Sequence, residues 1–294
     1  MSAVDVIIVN WNDADDLVTA LDSILALPEV KADPSFANIV VSDNASTDDS
    51  LARVRQMYGA RVVVIENGSN LGFAAGVNRA VERTTAPYIF LLNPDATAKA
   101  GALRHLVDFM ELHPQCALAG PKIYEADGSV AESCGEFDSW IGAFLRSSAW
   151  GELAPFRRFA NGAALRRWDY SDARQVDLVI GAALMVRRSV FEALGGFDER
   201  FFMYHEEVDF ARRVYEIGYE TWFVPNAEAT HTGQGSSGGR GVEAYKQRSR
   251  RKYWVKHHGR LWYYSLCAAL AGRYLLYGAV LGGAAIVVRR LATR

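Results

Sequence analysis

Cysteine is scarce in this chain: Cys116, Cys134 and Cys267 are an odd number at wide spacing, with no CxxC pair, in 294 residues. That excludes a disulfide framework and suits a reducing compartment. A basic leader is missing too. The apolar run in "MSAVDVIIVNWND" is short and carries Asp5, so it predicts a first strand and not a secretory signal, which leaves the body of the protein in the cytosol. Neither GxGxxG nor a P-loop lysine accompanies the glycines of "GSNLGFAAGVNRAV" (68–81), and a dinucleotide dehydrogenase or P-loop kinase is disfavoured. "GSSGG" (235–239) fits the GxSxG pattern of serine hydrolases around Ser237, but "AEATHTGQ" before it makes a poor buried strand.

Long uninterrupted hydrophobic runs are also lacking. Leu261 to Val288 is apolar except for Arg273, which leaves runs of 12 and 15 residues, each short of the roughly 20 a helical bilayer span needs. Charge is divided along the chain. Residues 1–239 carry 20 Lys and Arg against 33 Asp and Glu, whereas 240–294 carry 12 against 1. An acidic body with a basic tail leading into apolar sequence points to an anionic membrane surface and away from nucleic acid. The expectation is amphipathic or re-entrant helices at the cytoplasmic face of the plasma membrane, with a true span or a helix pair packed on the body as the alternatives.

What the chain has is a repeated α/β pattern. The β-branched runs "VDVIIV" (4–9), "IVVSD" (39–43), "RVVVIE" (61–66) and "YIFLL" (88–92) predict buried parallel strands. Helical spacing over Ala14 to Leu27 and Asp48 to Met57 separates them, so the layer is doubly wound. A further strand is expected over "VDLVIGAALMVRR" (176–188), loops and short helices over 130–175 with Trp140, Trp150 and Trp168, and a hinge over "GQGSSGGRG" (233–241).

Ligands collect beyond the carboxyl ends of such strands. Those ends are polar four times over: Asn10 and Asn12; Asp43, Asn44 and Ser46; Asn67 and Asn70; Asn93 and Asp95. Each could be an ordinary turn, since Asn and Asp form turns, but four in succession describe a binding crevice. Asp43 could accept a hydrogen bond from a base, with Ser46 capping the next helix. Gly72 and Gly76, beside Asn70 and Asn78, would let backbone approach a ligand. Asp95 is the candidate for a divalent cation, because Mg²⁺ and Mn²⁺ take oxygen ligands and bind through one or two carboxylates plus substrate phosphates. Finally "YHEEVDFARR" (204–213) crowds Glu206, Glu207 and Asp209. Either these acids favour the positive end of a helix, with Asp209 paired to Arg212 or Arg213, or they form a reaction centre that needs a base.

Taken together, "VDVIIVNWN", "IVVSDNASTDDS", "NLGFAAGVN", "FLLNPDA", "GAALMVRRSVFEALGGFDERFFMYHEEVDFARR" and "THTGQGSS" resemble the family 2 glycosyltransferases, especially their rhamnosyltransferase-like branch. The resemblance implies a GT-A fold over 1–239, with a nucleotide-sugar half (1–98) and an acceptor half (99–239), followed by membrane-associating helices in 240–294. It implies an inverting transfer of sugar from a nucleotide donor, dTDP-L-rhamnose first, with a UDP- or GDP-sugar or a catalytically silent binding protein as alternatives. The acceptor implied is a lipid-linked saccharide of a cell-surface polysaccharide. By position, Asn10 and Asn12 would line the nucleotide pocket, Asp43 would contact the base, Asp95 would bind Mg²⁺ or Mn²⁺, and His231 would approach the metal or diphosphate. Glu207 matches the general base, with Glu206 and Asp209 holding the local field. Relatives carry Asp where this chain has Glu207, so the choice between Glu206 and Glu207 stays open.

Overall fold

A computed structural model describes residues 3–146, 168–233 and 242–271. The chain divides into two compact units, one built from 1–137 and 167–250, the other from 138–166 and 251–294.

The first unit is organised around four parallel strands: β1 (Val4–Asn10), β2 (Ala37–Asp43), β3 (Val62–Glu66) and β4 (Tyr88–Leu92). All seven residues of β1 are buried. Period-two alternation sends Val4, Val6 and Ile8 to one face, against Leu17, Leu21 and Ile24 of the helix Ala14–Ala26. It sends Ile7 and Val9 to the other, against Ala74, Val77 and Val81 of the helix Phe73–Val81. Two covered faces explain the continuous apolar run.

Beyond β4 the sheet changes character. The remaining strands are β5 (Ala96–Ala98), β6 (Cys116–Tyr124), β7 (Cys134–Gly135), β8 (Arg174–Val176), β9 (Leu178–Val179), β10 (Ala183–Arg187) and β11 (Glu220–His231). Among the described residues the sheet order is β3-β2-β1-β4-β10-β6-β11-β5, with β8 on β11 and a separate β7-β9 pair. β10 runs antiparallel to both β4 and β6. The pairing of β11 with β6 shifts between Val224 and Glu228, around Pro225, which has no N–H to give a ladder. Past that bulge β11 reaches β5, and His231 pairs with Ala96. One irregularity thereby delivers His231 beside Asp95.

The single strand expected over 176–188 is instead three pieces with three sets of partners. Asp177 breaks the first junction, its carboxylate accepting the Phe137 N–H at 2.7 Å. At the second, Ile180 donates to the Ser133 carbonyl and the Ala182 carbonyl accepts from Asn93 N–H, each at 2.9 Å. Nor does Ser46 cap a helix: its hydroxyl donates to Asp43 at 2.6 Å. Asp48 takes over, accepting Ser50 N–H and, at 3.1 Å, Ala14 N–H at the start of the helix Ala14–Ala26.

The second unit is described through the helix Trp140–Arg146, the end of the helix Val242–His258, and helical residues 260–271. Within it Trp140 Nε1 donates to Ser265 Oγ at 3.1 Å. Ile141, Leu261, Trp262 and Tyr264 are exposed. No helix among the described residues is long and apolar enough to cross a membrane. Trp150, Ser237 and the hinge beyond Gly233 lie outside the described residues, as does the apolar tail past residue 271.

Candidate active site

The polar strand ends form a connected network at the carboxyl edge of β1 to β4. Asn10, fully buried, donates from Nδ2 to Asp43 Oδ1 at 2.9 Å and to Ser46 Oγ at 3.0 Å. Asp43, 1% exposed, also takes the Ser46 N–H on Oδ2 at 2.9 Å. Asn12 adopts φ 56° and accepts the Thr47 N–H at 2.7 Å. These bonds fold the "SDNASTDDS" loop onto the end of β1. The Asn10 Oδ1 atom is buried and has no hydrogen-bond partner. Between Asn10 and Asn12 stands Trp11, 43% exposed, a ring that sequence reasoning overlooked. An aromatic between two turn-formers at the end of a buried strand was the available signal.

Five residues expected at the ligand make contacts within the protein. Asn44, buried, donates to the Gly72 carbonyl at 3.1 Å and accepts from Asn67 Nδ2 at 2.9 Å. Gly72 has φ 82°, and a Cβ there would meet the Phe202 carbonyl oxygen at 2.2 Å. A Cβ on Gly76 would meet Val9 Cγ1 at 2.9 Å. Both glycines permit close approach of backbone, but to this chain's own atoms, because the helix Phe73–Val81 must seat on β1 and on Phe202. Asn78 points to the loop after "LGG", donating to the Phe197 carbonyl and accepting its N–H at 2.9 and 3.0 Å. Asn70 closes an Asx turn on Gly72 N–H at 3.0 Å.

Asp95 and His231 do meet, with Nε2 to Oδ1 at 3.2 Å. That bond raises the imidazole pKa against the opposing effect of burial. Asp16 lies near enough for Asp13, Asp95 and Asp15 to add to the burial that raises its own pKa. The edge is therefore acidic. Among the described residues no three His, Cys, Asp or Glu side chains are grouped to hold a metal. A carboxylate with an imidazole suits Mg²⁺ or Mn²⁺ only when phosphate oxygens complete the shell, which is the usual way these ions bind.

The acid cluster divides into unlike members. Asp209 is fully buried and accepts Arg213 Nε at 2.9 Å, while the same guanidinium donates to the Leu194 and Gly196 carbonyls. This is the i,i+4 pair of the helix Glu206–Glu216. As a correction to its expected place among the catalytic acids, Asp209 is tied up in anchoring the "LGG" turn. Glu206 and Glu207 occupy the first turn, after Tyr204 and His205 in left-handed backbone. Each has a buried carboxylate oxygen without a partner. Burial and the Glu207 charge raise Glu206 far above its ordinary 4.5, opposed only by its own N–H. Burial raises Glu207 too, but the N–H groups of Glu207, Val208 and His205 pull against it. The two carboxyls titrate as a pair, and more N–H groups favour the anion at Glu207 than at Glu206, which makes Glu207 the readier carboxylate. Glu207 also packs on Gly181, whose Cβ position lies 3.7 Å from the Glu207 Cβ and Cγ. The next residue, Ala182, is bonded to Asn93, so Glu207 and the Asn93–Asp95 turn flank the same strand ends.

A raised carboxyl pKa gives stability that is complete below the unfolded value, here 4.5, and is lost as pH rises through the folded one. Glu206→Gln removes that loss. The variant's melting temperature is expected to fall less than wild type between pH 5 and 8, as scanning calorimetry reads directly; parallel curves would place the proton elsewhere.

Three comparisons bear on this geometry. Residues 5–195 match the family model "Glycosyl transferase family 2". The N-acetylglucosaminyl-diphospho-decaprenol L-rhamnosyltransferase of Mycobacterium tuberculosis H37Rv is 32% identical over 212 residues, 68% of either chain. The O-antigen biosynthesis protein RfbC of Myxococcus xanthus is 27% identical over 71% of this chain and 16% of its own length. Of solved structures, the mannosyltransferase PcManGT from Pyrobaculum calidifontis, in complex with GDP-Man and Mn²⁺, aligns with TM-score 0.60 at 19% identity over 99% of this chain and 79% of its own. GalNAc-T7 with UDP, GalNAc and Mn²⁺ aligns with TM-score 0.59 at 18% identity over 79% and 44%.

Proposed function

Because the chain belongs to glycosyl transferase family 2, we propose that it moves L-rhamnose from dTDP-L-rhamnose, with inversion, to a hydroxyl of a lipid-linked saccharide in cell-surface polysaccharide synthesis. The observation that carries this reading is the carboxylate of Glu207 resting on Gly181, one residue from the peptide bonded to Asn93. A base then faces the strand ends where a nucleotide diphosphate binds in such sheets. Glu207 takes the proton of the acceptor hydroxyl as its oxygen attacks the anomeric carbon from the face opposite the diphosphate. One displacement on one base inverts the configuration. Glu206, keeping its proton, adds no second negative charge near the developing nucleophile. Asp95 and His231 would hold Mg²⁺ or Mn²⁺, which when bound supplies charge stabilisation to the departing diphosphate. Trp11 offers a stacking face at the mouth of the nucleotide side.

The rhamnosyltransferase of M. tuberculosis names a diphospho-decaprenol carrier, and this chain's tail favours such an acceptor. Its 12 basic residues against 1 acidic over 240–294, with Leu261 and Trp262 exposed, suit peripheral attachment at the cytoplasmic face of the plasma membrane. The full chain, given GlcNAc-diphospho-polyprenol and either dTDP-L-rhamnose, a UDP-sugar or GDP-mannose, is expected to yield labelled product from the dTDP donor only, and more with Mn²⁺ than with EDTA. Product from a UDP- or GDP-sugar alone would reassign the donor, and none from any donor would leave a silent binding protein.

A further inference from the structure

The segment that launches the Glu206–Glu207 helix is held by residues the reaction scheme leaves unused. Tyr204 and His205 have φ 66° and 68°, a conformation that bulky residues keep only where their surroundings enforce it. The residues just before them are clamped. From the nucleotide half, Phe73 N–H donates to the Phe202 carbonyl at 2.8 Å. From the helix Val242–His258 come three more contacts. Tyr245 stacks on Phe202, with ring centroids 5.4 Å apart and planes at 22°. Lys246 Nζ lies 5.1 Å from the centre of the Tyr204 ring. Ser249, 3% exposed, donates to the Met203 carbonyl at 2.8 Å. Positions 245, 246 and 249 neighbour one another on a helix surface, so one patch meets three consecutive residues.

We propose that Tyr245, Lys246 and Ser249 are positioning residues for the transfer: by fixing Phe202, Met203 and Tyr204 they hold the left-handed step that aims the Glu207 carboxylate. The inference rests on Glu207 being the base. It gives a helix that lies beyond every sequence motif of the site a part in catalysis. It also ties the donor half, through Gly72 and Phe73, to Phe202 at the head of the same segment. Relaxing the step would carry the N–H groups of His205, Glu207 and Val208 away from the carboxylate they favour. A base displaced by about 1 Å can lose a hundredfold in rate.

In the full chain, Tyr245→Ala and Ser249→Ala are each expected to lower kcat by about 10- to 100-fold with donor KM little changed. The acid limb of the kcat profile should move to higher pH, because the weakened N–H bonds favour the carboxylate less. Amide exchange at His205, Glu207 and Val208 should quicken, and Tyr245→Phe and Ser249→Thr should restore all three readouts. Tyr245 is 38% exposed, so its truncation decides the matter even where Ser249→Ala fails to fold. Unchanged kcat in Tyr245→Ala, with or without faster exchange, overturns the positioning role while Glu207→Gln is inactive. Turnover in Glu207→Gln itself removes the base beneath the proposal, and both fall together.

Discussion

Glu207→Gln is expected to reduce sugar transfer by about 10²- to 10⁴-fold, the range spanned by a positioned general base, while leaving donor affinity near that of the wild type. Glutamine keeps the side-chain length that packs on Gly181, so the loss reports proton transfer and not a hole. Its amide does face the N–H groups of the first helical turn, which favour an anion, and a modest drop in melting temperature should accompany the substitution. Glu206→Gln is the comparison that gives the result meaning. Glutamine imitates the protonated form that burial and the Glu207 charge favour at Glu206, so this variant should retain most of its activity. Single-turnover measurements with saturating donor separate the two: if Glu206→Gln is the silent variant and Glu207→Gln the active one, the roles assigned within the pair are reversed.

Arg188→Met should cost about 3–5 kcal/mol of stability, as expected when one partner of a buried ion pair is removed. Arg188 is 8% exposed and Asp5 1%, and their closest atoms lie 2.7 Å apart. The guanidinium also donates to Thr84 Oγ1 at 2.8 Å and to the Val81 and Ala86 carbonyls. Asp5 takes in addition the Ala86 N–H at 2.7 Å and Asn38 Nδ2 at 3.0 Å. The network thus fastens the start of β1, the start of β2 and the turn before β4 to the helix Arg188–Ala193. Methionine fills much of the arginine stem's volume but strands a buried carboxylate. Urea titration measures the loss, and Asp5→Asn added to Arg188→Met should recover part of it. A loss below about 1 kcal/mol, the value of an exposed pair, would show that water reaches Asp5. The network lies at the amino ends of the strands, so catalysis per folded molecule should hardly change.

Much of the parallel half was legible because its signals are local. Runs of β-branched residues predicted β1 to β4 to within two residues at either end, since a strand covered on both faces needs apolar side chains at every position. A step of about 100° per residue puts Glu206 and Asp209 on one side of their helix and Glu207 on another, and the first two are buried where Glu207 is half-buried. The antiparallel half was less legible. Nothing in "VDLVIGAALMVRR" announces that β8, β9 and β10 pair with β11, with β7, and with β4 and β6, because hydrophobicity says that a segment is buried and not beside what. For the same reason Gly72, Gly76 and Asn78 looked like ligand contacts, when their neighbours Phe202, Val9 and Phe197 are distant in sequence or belong to another element.

By itself the sequence determined which residues end the strands, which acids begin the helix at Glu206, and that a basic, apolar stretch follows an acidic body, all consequences of residue type and spacing. Only the tertiary structure decided which acid the surrounding N–H groups favour as an anion, that Asp209 is occupied by Arg213, and that the bulge at Pro225 brings His231 to Asp95. Those outcomes depend on burial and on which backbone N–H groups surround a carboxylate, and both are fixed by contacts between segments far apart along the chain.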